Sequence, residues 1–178
     1  MESVDVESRR ARFESLAPGL IEPLRRFLAR RTDAATADDV LAETLLVCWR
    51  RLGELPEPPL PWTYGVARHC LANAQRGARR QQRVAAKIAV LDPPREVPET
   101  PADPGVGAAL ARLSGDDAEL LRLSAWEQLT PAEIAQVLGV TANAVSIRLH
   151  RARKKLREEL GKDDGPGGHE QVNEGRRP

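Results

Sequence analysis

The feature that most constrains this chain is the segment TPAEIAQVLGVTANAVSIRLHRARKKL, which begins at Thr130 and has the pattern of two helices joined by a tight turn. Thr130 can cap the first helix, Pro131 suits its first position, and Glu133 can complete a capping box. Gly139 stands at the turn, where the backbone needs a positive φ that glycine adopts without steric cost. Thr141 can cap the second helix, so the segment predicts a helix-turn-helix.

The two helices of this segment each have an apolar inward face. Ile134, Ala135 and Leu138 form it on the first helix, and Val145, Leu149, Ala152 and Leu156 form one stripe on the second. On the side opposite this stripe lie Asn143, Ile147, His150, Arg151 and Lys154. These five are the predicted DNA-facing residues, because amide and cationic side chains read base edges and phosphates, and an isoleucine can pack on a thymine methyl.

Two basic segments stand out from an acidic remainder. The helix from Thr141 to Arg157 carries six basic residues and no acid, and the segment from Gly65 to Lys87 also carries six and no acid. Because the whole chain has a formal net charge of only +1, the rest of it is strongly acidic. An acidic remainder weakens indiscriminate DNA binding and leaves two local nucleic-acid footprints.

Trp62 and Tyr64 directly precede the first basic segment. This arrangement is expected where unpaired bases stack on aromatic rings while cations hold the phosphates. The structural alternative is that both rings fix the start of the helix in the core. The sequence leaves both interpretations open.

The expected fold class is all-α, because no stretch shows the alternating β-branched pattern of a strand. The acidic stretch DPPREVPETPADPGV holds five prolines in fifteen residues and predicts an extended, flexible linker between two small helical domains. We expect the domains over residues 8–88 and 107–160, with the linker over 89–106. The glycine-rich residues 161–178 are expected to form a disordered tail.

Local signals predict the helices of the first domain. Pro18 and Pro23 interrupt the first helical pattern, so only the part from about Pro23 to just before Thr32 is predicted as secure helix. Thr36 is predicted to cap the next helix, which continues to Leu52. The proline-rich loop GELPEPPLPWTYG is predicted to deliver its two aromatic residues into the start of a third helix.

Cys48 and Cys70 are too few for a disulfide scaffold and are expected to be buried, reduced thiols. The chain opens MESVDVESRR, without the apolar region of a signal peptide, and no run approaches the ~20 apolar residues of a membrane span. We therefore expect a cytoplasmic protein.

Three of these segments, in this order and with a linker between them, resemble the extracytoplasmic-function (ECF) sigma factors, the small initiation subunits of bacterial RNA polymerase. ADDVLAETLLVCWRRL is similar to their region-two helix that binds core polymerase. PWTYGVARHCLAN is similar to the segment that melts and reads the minus-ten element. LTPAEIAQVLGVTANAVSIRLHRARKKL is similar to region four, which reads the minus-thirty-five element.

The resemblance implies an alternative sigma factor that directs core RNA polymerase to specific bacterial promoters, associates with the nucleoid, and has no cofactor, metal or chemistry of its own. The residues implied in polymerase binding are Asp39, Glu43, Trp49 and Arg50. Those implied at the minus-ten element are Trp62, Tyr64, Arg68, His69, Asn73, Arg76, Arg79, Arg80 and Arg83. Those implied at the minus-thirty-five element are Asn143, Ser146, Ile147, Arg148, His150, Arg151 and Lys154, of which Ser146 and Arg148 flank the outward face. The resemblance also implies an anti-sigma factor as a partner.

Four positions depart from the family pattern. Ala42 stands where glutamine is usual and Leu45 where phenylalanine is frequent, which predicts a weakened or replaced polymerase contact. His69 and Asn73 stand where asparagine and aspartate are common, which predicts an unusual minus-ten sequence.

Two rival functions fit parts of the chain. A helix-turn-helix regulator with an N-terminal effector domain explains the second domain but leaves the basic segment after Trp62 unexplained. An enzyme or metal protein would use Cys48, His69, Cys70 and His150, whose spacing matches no ligand or catalytic motif.

Overall fold

The computed structural model describes residues 2–88 and 104–163. Within these two ranges the chain forms seven α-helices and one short 3-10 helix, Leu52–Glu54, and no β-strand. The all-α class with a helix-turn-helix near the C-terminus is confirmed. The helices are α1 (Glu2–Ala29), α2 (Ala34–Arg50), α3 (Leu60–Ile88), α4 (Pro104–Ala111), α5 (Gly115–Ala125), α6 (Pro131–Leu138) and α7 (Ala142–Asp163).

The first helix runs unbroken through Pro18 and Pro23, so the prediction of an interruption there was wrong. Proline removes a backbone hydrogen bond inside a helix and normally kinks or ends it. In α1 this cost is offset by an apolar face that is buried in the core. The residues of that face are Leu20, Leu24, Phe27 and Leu28.

The cap of the second helix lies three residues before the predicted one, because Asp33 and not Thr36 caps the helix, which begins at Ala34. The Asp33 carboxylate accepts the backbone N–H of Thr36 at 3.0 Å and the Thr36 hydroxyl at 2.7 Å. Both hydrogen bonds lower the pKa of the Asp33 carboxyl. The helix ends at Arg50, and Leu52 belongs to the 3-10 turn that follows.

The third helix begins earlier than predicted, inside the proline-rich segment that was expected to deliver the two aromatic residues to its start. α3 begins at Leu60, so Trp62 and Tyr64 occupy its first two turns. The Thr63 hydroxyl donates to the Pro59 carbonyl at 2.8 Å and closes the start of the helix. Pro61 is tolerated there because the first helical turn needs no intrahelical N–H donors.

The helices form two packed units. The first unit consists of α1, α2 and α3, and the second of α4, α5, α6 and α7. α4 starts at Pro104, so the last three residues of the predicted linker are helical, and α7 extends to Asp163, three residues into the predicted tail. Residues 89–103 and 164–178, on which the rest of those two predictions falls, lie outside the described residues.

The two units pack directly against each other through α3 and α6. A single buried cluster contains side chains from both, such as Phe27 and Tyr64 of the first unit and Ile134 and Leu149 of the second. A smaller cluster around Leu110, within the second unit, joins α4, α5 and α7. The larger hydrophobic core therefore spans the boundary between the units.

Replacing Phe27 with alanine tests this core. The side chain is fully buried and contacts the Tyr64 ring, so its loss should lower the free energy of unfolding by about 3–5 kcal/mol. Val6→Ala, in the same helix but 60% exposed, should stay within about 0.5 kcal/mol of the unmodified chain. Urea denaturation followed by circular dichroism measures both, and equal losses would contradict the assignment.

Candidate nucleic-acid interface

The helix-turn-helix forms as its local signals predict. Thr130 and Glu133 make a capping box, in which the Thr130 N–H donates to the Glu133 carboxylate at 2.8 Å and the Glu133 N–H donates to the Thr130 hydroxyl at 3.3 Å. Gly139 ends α6 with φ 67°, in the left-handed region that favours glycine. The Thr141 hydroxyl then accepts the Ala144 N–H at 3.3 Å at the start of α7. These contacts orient α7 relative to α6.

Most of the predicted apolar faces of α6 and α7 is buried, whereas Leu138 and Leu156 are only half-buried. The buried members are Ile134, Ala135, Val145, Leu149 and Ala152. Val137 is also buried, although it lies outside the predicted inward face of α6. Its backbone packs on Gly65 of α3 in the other unit. Val137 follows Ile134 by three residues, so the buried face of α6 is shifted towards the side that meets α3.

The outward face of α7 is exposed along its length. The predicted DNA-facing residues Asn143, Ile147, His150, Arg151 and Lys154 are all exposed, as are Ser146 and Arg148 on its flanks. Ile147 keeps 46% of its surface accessible, so an apolar side chain stands among the polar and basic ones of this face. The Ser146 hydroxyl donates to the Ala142 carbonyl at 3.0 Å, within the helix.

The basic residues of α7 divide into two groups, which the sequence could not separate. Arg153 donates to the Ser124 hydroxyl at 3.0 Å, and Lys155 pairs with Asp117 at 2.6 Å, so both hold α7 to α5. The Lys155 ammonium lowers the pKa of the Asp117 carboxyl by hydrogen bonding. Arg151 lies on the outward face, which makes it a better candidate for contact with DNA.

Five of the predicted minus-ten residues form one exposed stripe along α3. They are His69, Asn73, Arg76, Arg80 and Arg83, spaced alternately by four and three residues. Trp62, half-buried, falls on the same face near the start of the helix, while Arg79 is exposed on one flank and Arg68 is half-buried. The Arg76 guanidinium donates to the Asn73 side-chain oxygen, so these two side chains act as a pair.

Tyr64 lies on a different side of α3 and is part of the core. Only 3% of its surface is exposed, and its ring packs on Phe27 with centroids 4.9 Å apart. Burial raises the pKa of the Tyr64 hydroxyl to about 12, and the Glu127 carboxylate adds to the shift. In this conformation Tyr64 presents no face on which a base could stack. Its ring instead fixes the start of the helix in the core, which is the second of the two interpretations that the sequence left open.

A second exposed stripe runs along α2. Asp39, Glu43 and Arg50, three of the residues implied in polymerase binding, lie on it together with Leu46, which is 46% exposed. Sequence reasoning missed Leu46 because an apolar residue in a helix is normally assigned to the core. Its spacing of three residues from Glu43 and four from Arg50 is the signal that could have found it.

Trp49, the fourth residue implied in polymerase binding, is partly covered by the N-terminal half of α1. Phe13 meets the Trp49 ring edge to face with centroids 5.5 Å apart. The Arg9 guanidinium lies 5.5 Å from the centroid of that ring and donates to the Trp49 carbonyl at 3.3 Å. Trp49 therefore joins α1 to α2 rather than lying free on the α2 stripe.

The residues weighed for catalysis or metal binding do not converge. Cys48 and Cys70 are buried free thiols, and burial raises the pKa of each. His69 and His150 are exposed on helices of different units. Among residues 2–88 and 104–163, no three histidine, cysteine or acidic side chains are grouped as metal ligands would be. Over the same ranges no helix combines the length and apolarity needed to cross a membrane.

Comparison with known proteins identifies the family. Residues 106–156 match the family described as Sigma-70, region 4. The ECF RNA polymerase sigma factor SigL of Mycobacterium tuberculosis is 34% identical over 154 residues, covering 78% of this chain and 84% of SigL. The chain belongs to the ECF RNA polymerase sigma factors. The RNA polymerase sigma factor CarQ of Myxococcus xanthus is also 34% identical, over 161 residues that cover 84% of this chain and 89% of CarQ.

Solved structures of sigma factors have the same fold. The sigma factor RpoE of Bartonella quintana, solved with the anti-sigma factor NepR, superimposes with a TM-score of 0.62 at 19% identity, over 84% of this chain and 96% of RpoE. CnrH, solved with the cytosolic domain of CnrY, superimposes with a TM-score of 0.58 at 22% identity, over 86% of this chain and 90% of CnrH. The chain is an alternative sigma factor for transcription initiation.

The capping box of this sigma factor makes its stability depend on pH. Hydrogen bonds from the Thr130 hydroxyl and N–H lower the pKa of the Glu133 carboxyl. Their stabilisation is complete above the ordinary glutamate pKa of about 4.3 and is lost as the pH falls through the lowered value. Glu133→Gln can keep the capping geometry without titrating.

We therefore expect the unmodified chain to lose more stability than Glu133→Gln between pH 7 and pH 3. Thr130→Val, which lacks the hydroxyl, should also show the smaller loss. Thermal denaturation at the two pH values measures the difference. Identical pH dependence in all three chains would show that the capping box does not contribute.

Proposed function

We propose that this sigma factor selects promoters with two reading helices, α7 for the minus-thirty-five duplex and α3 for the minus-ten strand, while α2 binds core polymerase. In this proposal residues 8–88 act as region two, 107–160 as region four, 89–106 as the connecting linker, and 161–178 as a tail without a reading role. The observation that carries it is the presence of three separate exposed stripes, one on each of these helices.

The reading of duplex DNA is assigned to α7. Its outward face combines an amide at Asn143, an apolar side chain at Ile147 and a guanidinium at Arg151, which suit an adenine edge, a thymine methyl and a guanine edge or phosphate. Lys154 pairs weakly with Glu158 at 3.9 Å and can exchange that partner for a phosphate. The other members of the proposed set are Ser146, Arg148 and His150.

The capture of the minus-ten strand is assigned to the α3 stripe. Trp62 lies in line with His69 and Asn73, so a base stacked on the indole would place its neighbours along the stripe. The arginines that follow would hold the phosphates; they are Arg76, Arg79, Arg80 and Arg83, with Arg68 beside them. We assign Tyr64 a supporting role, because it is buried against Phe27.

The attachment to core polymerase is assigned to the α2 stripe. Asp39, Glu43 and Arg50 supply charge around the exposed Leu46, which matches a small interface with an apolar centre and a polar rim. Trp49 contacts Phe13 and Arg9 of α1 and so holds α2 against α1 beside the stripe. Leu46 takes the central role because Ala42, where the family has glutamine, offers little contact.

Further proposals follow from the family. RpoE was solved bound to the anti-sigma factor NepR, and we propose that this chain also has an anti-sigma partner. We propose that it acts in the cytoplasm at the nucleoid and binds DNA and polymerase without catalysing a reaction. Run-off transcription with purified core polymerase tests the proposal as a whole, on promoters found by mapping transcription starts after overexpression. Specific duplex binding by the chain alone, without any transcript, would favour the helix-turn-helix regulator.

A pair of arginines on α7 tests the minus-thirty-five assignment. Arg151→Ala should reduce promoter-specific transcription roughly tenfold, since one good base or phosphate contact contributes about 1–3 kcal/mol. Arg153→Ala removes the same charge only two residues away, but its side chain bonds to Ser124. We expect that control to change transcription by less than about threefold, because only one exposed hydrogen bond to α5 is lost.

Salt dependence separates the two variants further. The slope of binding against salt concentration should fall for Arg151→Ala, because a phosphate-neutralising cation has been removed. Equal effects of Arg151→Ala and Arg153→Ala on transcription would contradict the proposed orientation of α7.

The α2 stripe is tested by binding to core polymerase. Leu46→Glu should weaken binding tenfold or more, because it places a charge at the centre of the proposed interface. That change corresponds to a loss of binding free energy on the order of 1.4 kcal/mol or more. The control Val6→Glu puts the same charge at an exposed apolar position of α1 and should bind normally. Biolayer interferometry with immobilised core polymerase measures both.

The acidic residues of the stripe give a second comparison. Asp39→Ala with Glu43→Ala should weaken binding, whereas Asp38→Ala with Glu54→Ala removes the same charge away from the stripe and should not. If both double variants co-purify with core polymerase like the unmodified chain, α2 is not the attachment site.

A further inference from the structure

The exposed stripe of α3 contains an amide that a neighbouring guanidinium holds in one orientation. The Arg76 guanidinium donates to the Asn73 side-chain oxygen across one turn of the helix, and both side chains are exposed. A guanidinium has only donors, so the amide must turn its oxygen towards Arg76. The Asn73 NH2 group then lies on the other side of the amide, where it donates to no group in the described part of the chain.

The charge of Arg76 is not neutralised by a carboxylate. The segment from Gly65 to Lys87 contains no acidic residue, and no carboxylate within residues 2–88 and 104–163 pairs with Arg76. A guanidinium carries five N–H donors, and the contact with Asn73 occupies only part of them. Donors of Arg76 therefore remain beside the Asn73 NH2 group. The pair presents donors to the solvent, and its one acceptor is turned inward.

Gly77 leaves the space beside Asn73 open. It lies four residues further along α3, and a Cβ atom built on it would meet nothing within 4 Å. A glycine inside a helix lowers the stability of that helix relative to alanine. Because no protein atom lies near this Cβ position, packing within the chain gives no reason for the glycine. It does give an approaching ligand access to the Asn73 amide.

We propose that Asn73 and Arg76 read one base of the minus-ten element as a pair of donors that selects cytosine or guanine, and that Gly77 gives this base room to approach. The inference rests on the proposed role of α3 and adds the chemistry of the base that the helix reads. Arg76 is both a donor and a positioning residue, because it fixes the orientation of the Asn73 amide.

The donors and acceptors of the four bases account for this selection. Unpaired cytosine has two adjacent acceptors, N3 and O2, and guanine has O6 and N7. Adenine places its N6 donor beside each of the acceptors N1 and N7, so a two-point contact needs the amide oxygen that Arg76 occupies. Thymine separates its acceptors O2 and O4 by the N3–H donor. Cytosine and guanine therefore accept two hydrogen bonds from the pair, whereas adenine and thymine accept one.

Transcription with core polymerase tests the selection. Each position of a mapped minus-ten element is replaced in turn by all four bases. At one position we expect cytosine or guanine to give at least about tenfold more transcript than adenine or thymine, the effect of a two-point base contact. Cytosine would be read unpaired, because its N3 and O2 are occupied in a duplex, whereas the O6 and N7 edge of guanine stays accessible. A preference for adenine or thymine at every position would overturn the proposal.

Variants of the pair separate base selection from charge. Arg76→Ala releases the amide oxygen, so transcript from the adenine template should rise to within about threefold of the preferred base. Arg76→Lys keeps a donor towards that oxygen and should preserve the preference. Asn73→Asp replaces the outer donor with an acceptor and should also admit adenine. The control Arg80→Ala removes the same charge one turn away and should lower transcription from all four templates alike. An unchanged preference in Arg76→Ala would overturn its positioning role.

Gly77→Leu tests the access to Asn73. Helical side chains lean over the preceding turn, so the leucine should cover the amide and reduce transcription at least about fivefold. The same change should raise the Tm by about 2–4 °C, because leucine favours a helix more than glycine does. Gly19→Leu is the control at another exposed helical glycine with nothing within 4 Å, and it should raise the Tm without changing transcription. Equal transcription from both variants would overturn the role of Gly77.

Binding of single strands to the chain alone separates this inference from the proposed function. Fluorescence anisotropy measures the affinity for labelled strands of about eight dT nucleotides with one central dC, dG or dA. The dC or dG strand should bind at least about threefold more tightly than the dA and all-dT strands, and Arg76→Ala should remove the difference. This preference without transcription from any template would exclude the proposed function and retain the donor pair. Transcription without a preference for cytosine or guanine in either assay would do the reverse, and failure of both assays would exclude both.

Discussion

The contacts of Arg31 are those on which the rest of this structure most depends. Its guanidinium pairs with Glu119 and Glu127, donates to the Phe27 carbonyl at 2.7 Å, and lies 3.7 Å from the centroid of the Phe27 ring. A buried guanidinium is tolerated only when its donors are satisfied, and here the partners come from both helical units. The position of α5 and α6 over the first unit is therefore coupled to the end of α1.

This coupling gives several residues a double character. Tyr64 belongs to the core through Phe27, but the Glu127 carboxylate of the other unit also affects its hydroxyl. Gly65 lies one residue further on and provides the close approach to Val137. The start of α3, which the sequence presents as part of the first unit alone, thus also forms the boundary with the second unit. The exposed stripes of α2 and α7 lie away from it.

Local signals were reliable where all their partners lie within a few residues. The capping box of Thr130 and Glu133, the turn at Gly139 and the apolar stripe of α7 all depend on neighbours one to four positions away. They failed where a tertiary contact competed with them. Burial of one face of α1 outweighed the cost of Pro18 and Pro23. The Thr36 prediction failed for a local reason, because Asp33 caps α2 and Thr36 donates its N–H to that cap.

The sequence by itself determined the all-α class, the helix-turn-helix and the membership of the sigma factor family, because these depend on periodicity, capping and motif order. It also predicted most residues of the outward face of α7. Only the tertiary structure decided that Tyr64 is core and that Arg153 and Lys155 hold α7 to α5. Each of these depends on which distant helix lies opposite the residue, and spacing along one helix carries no information about that partner.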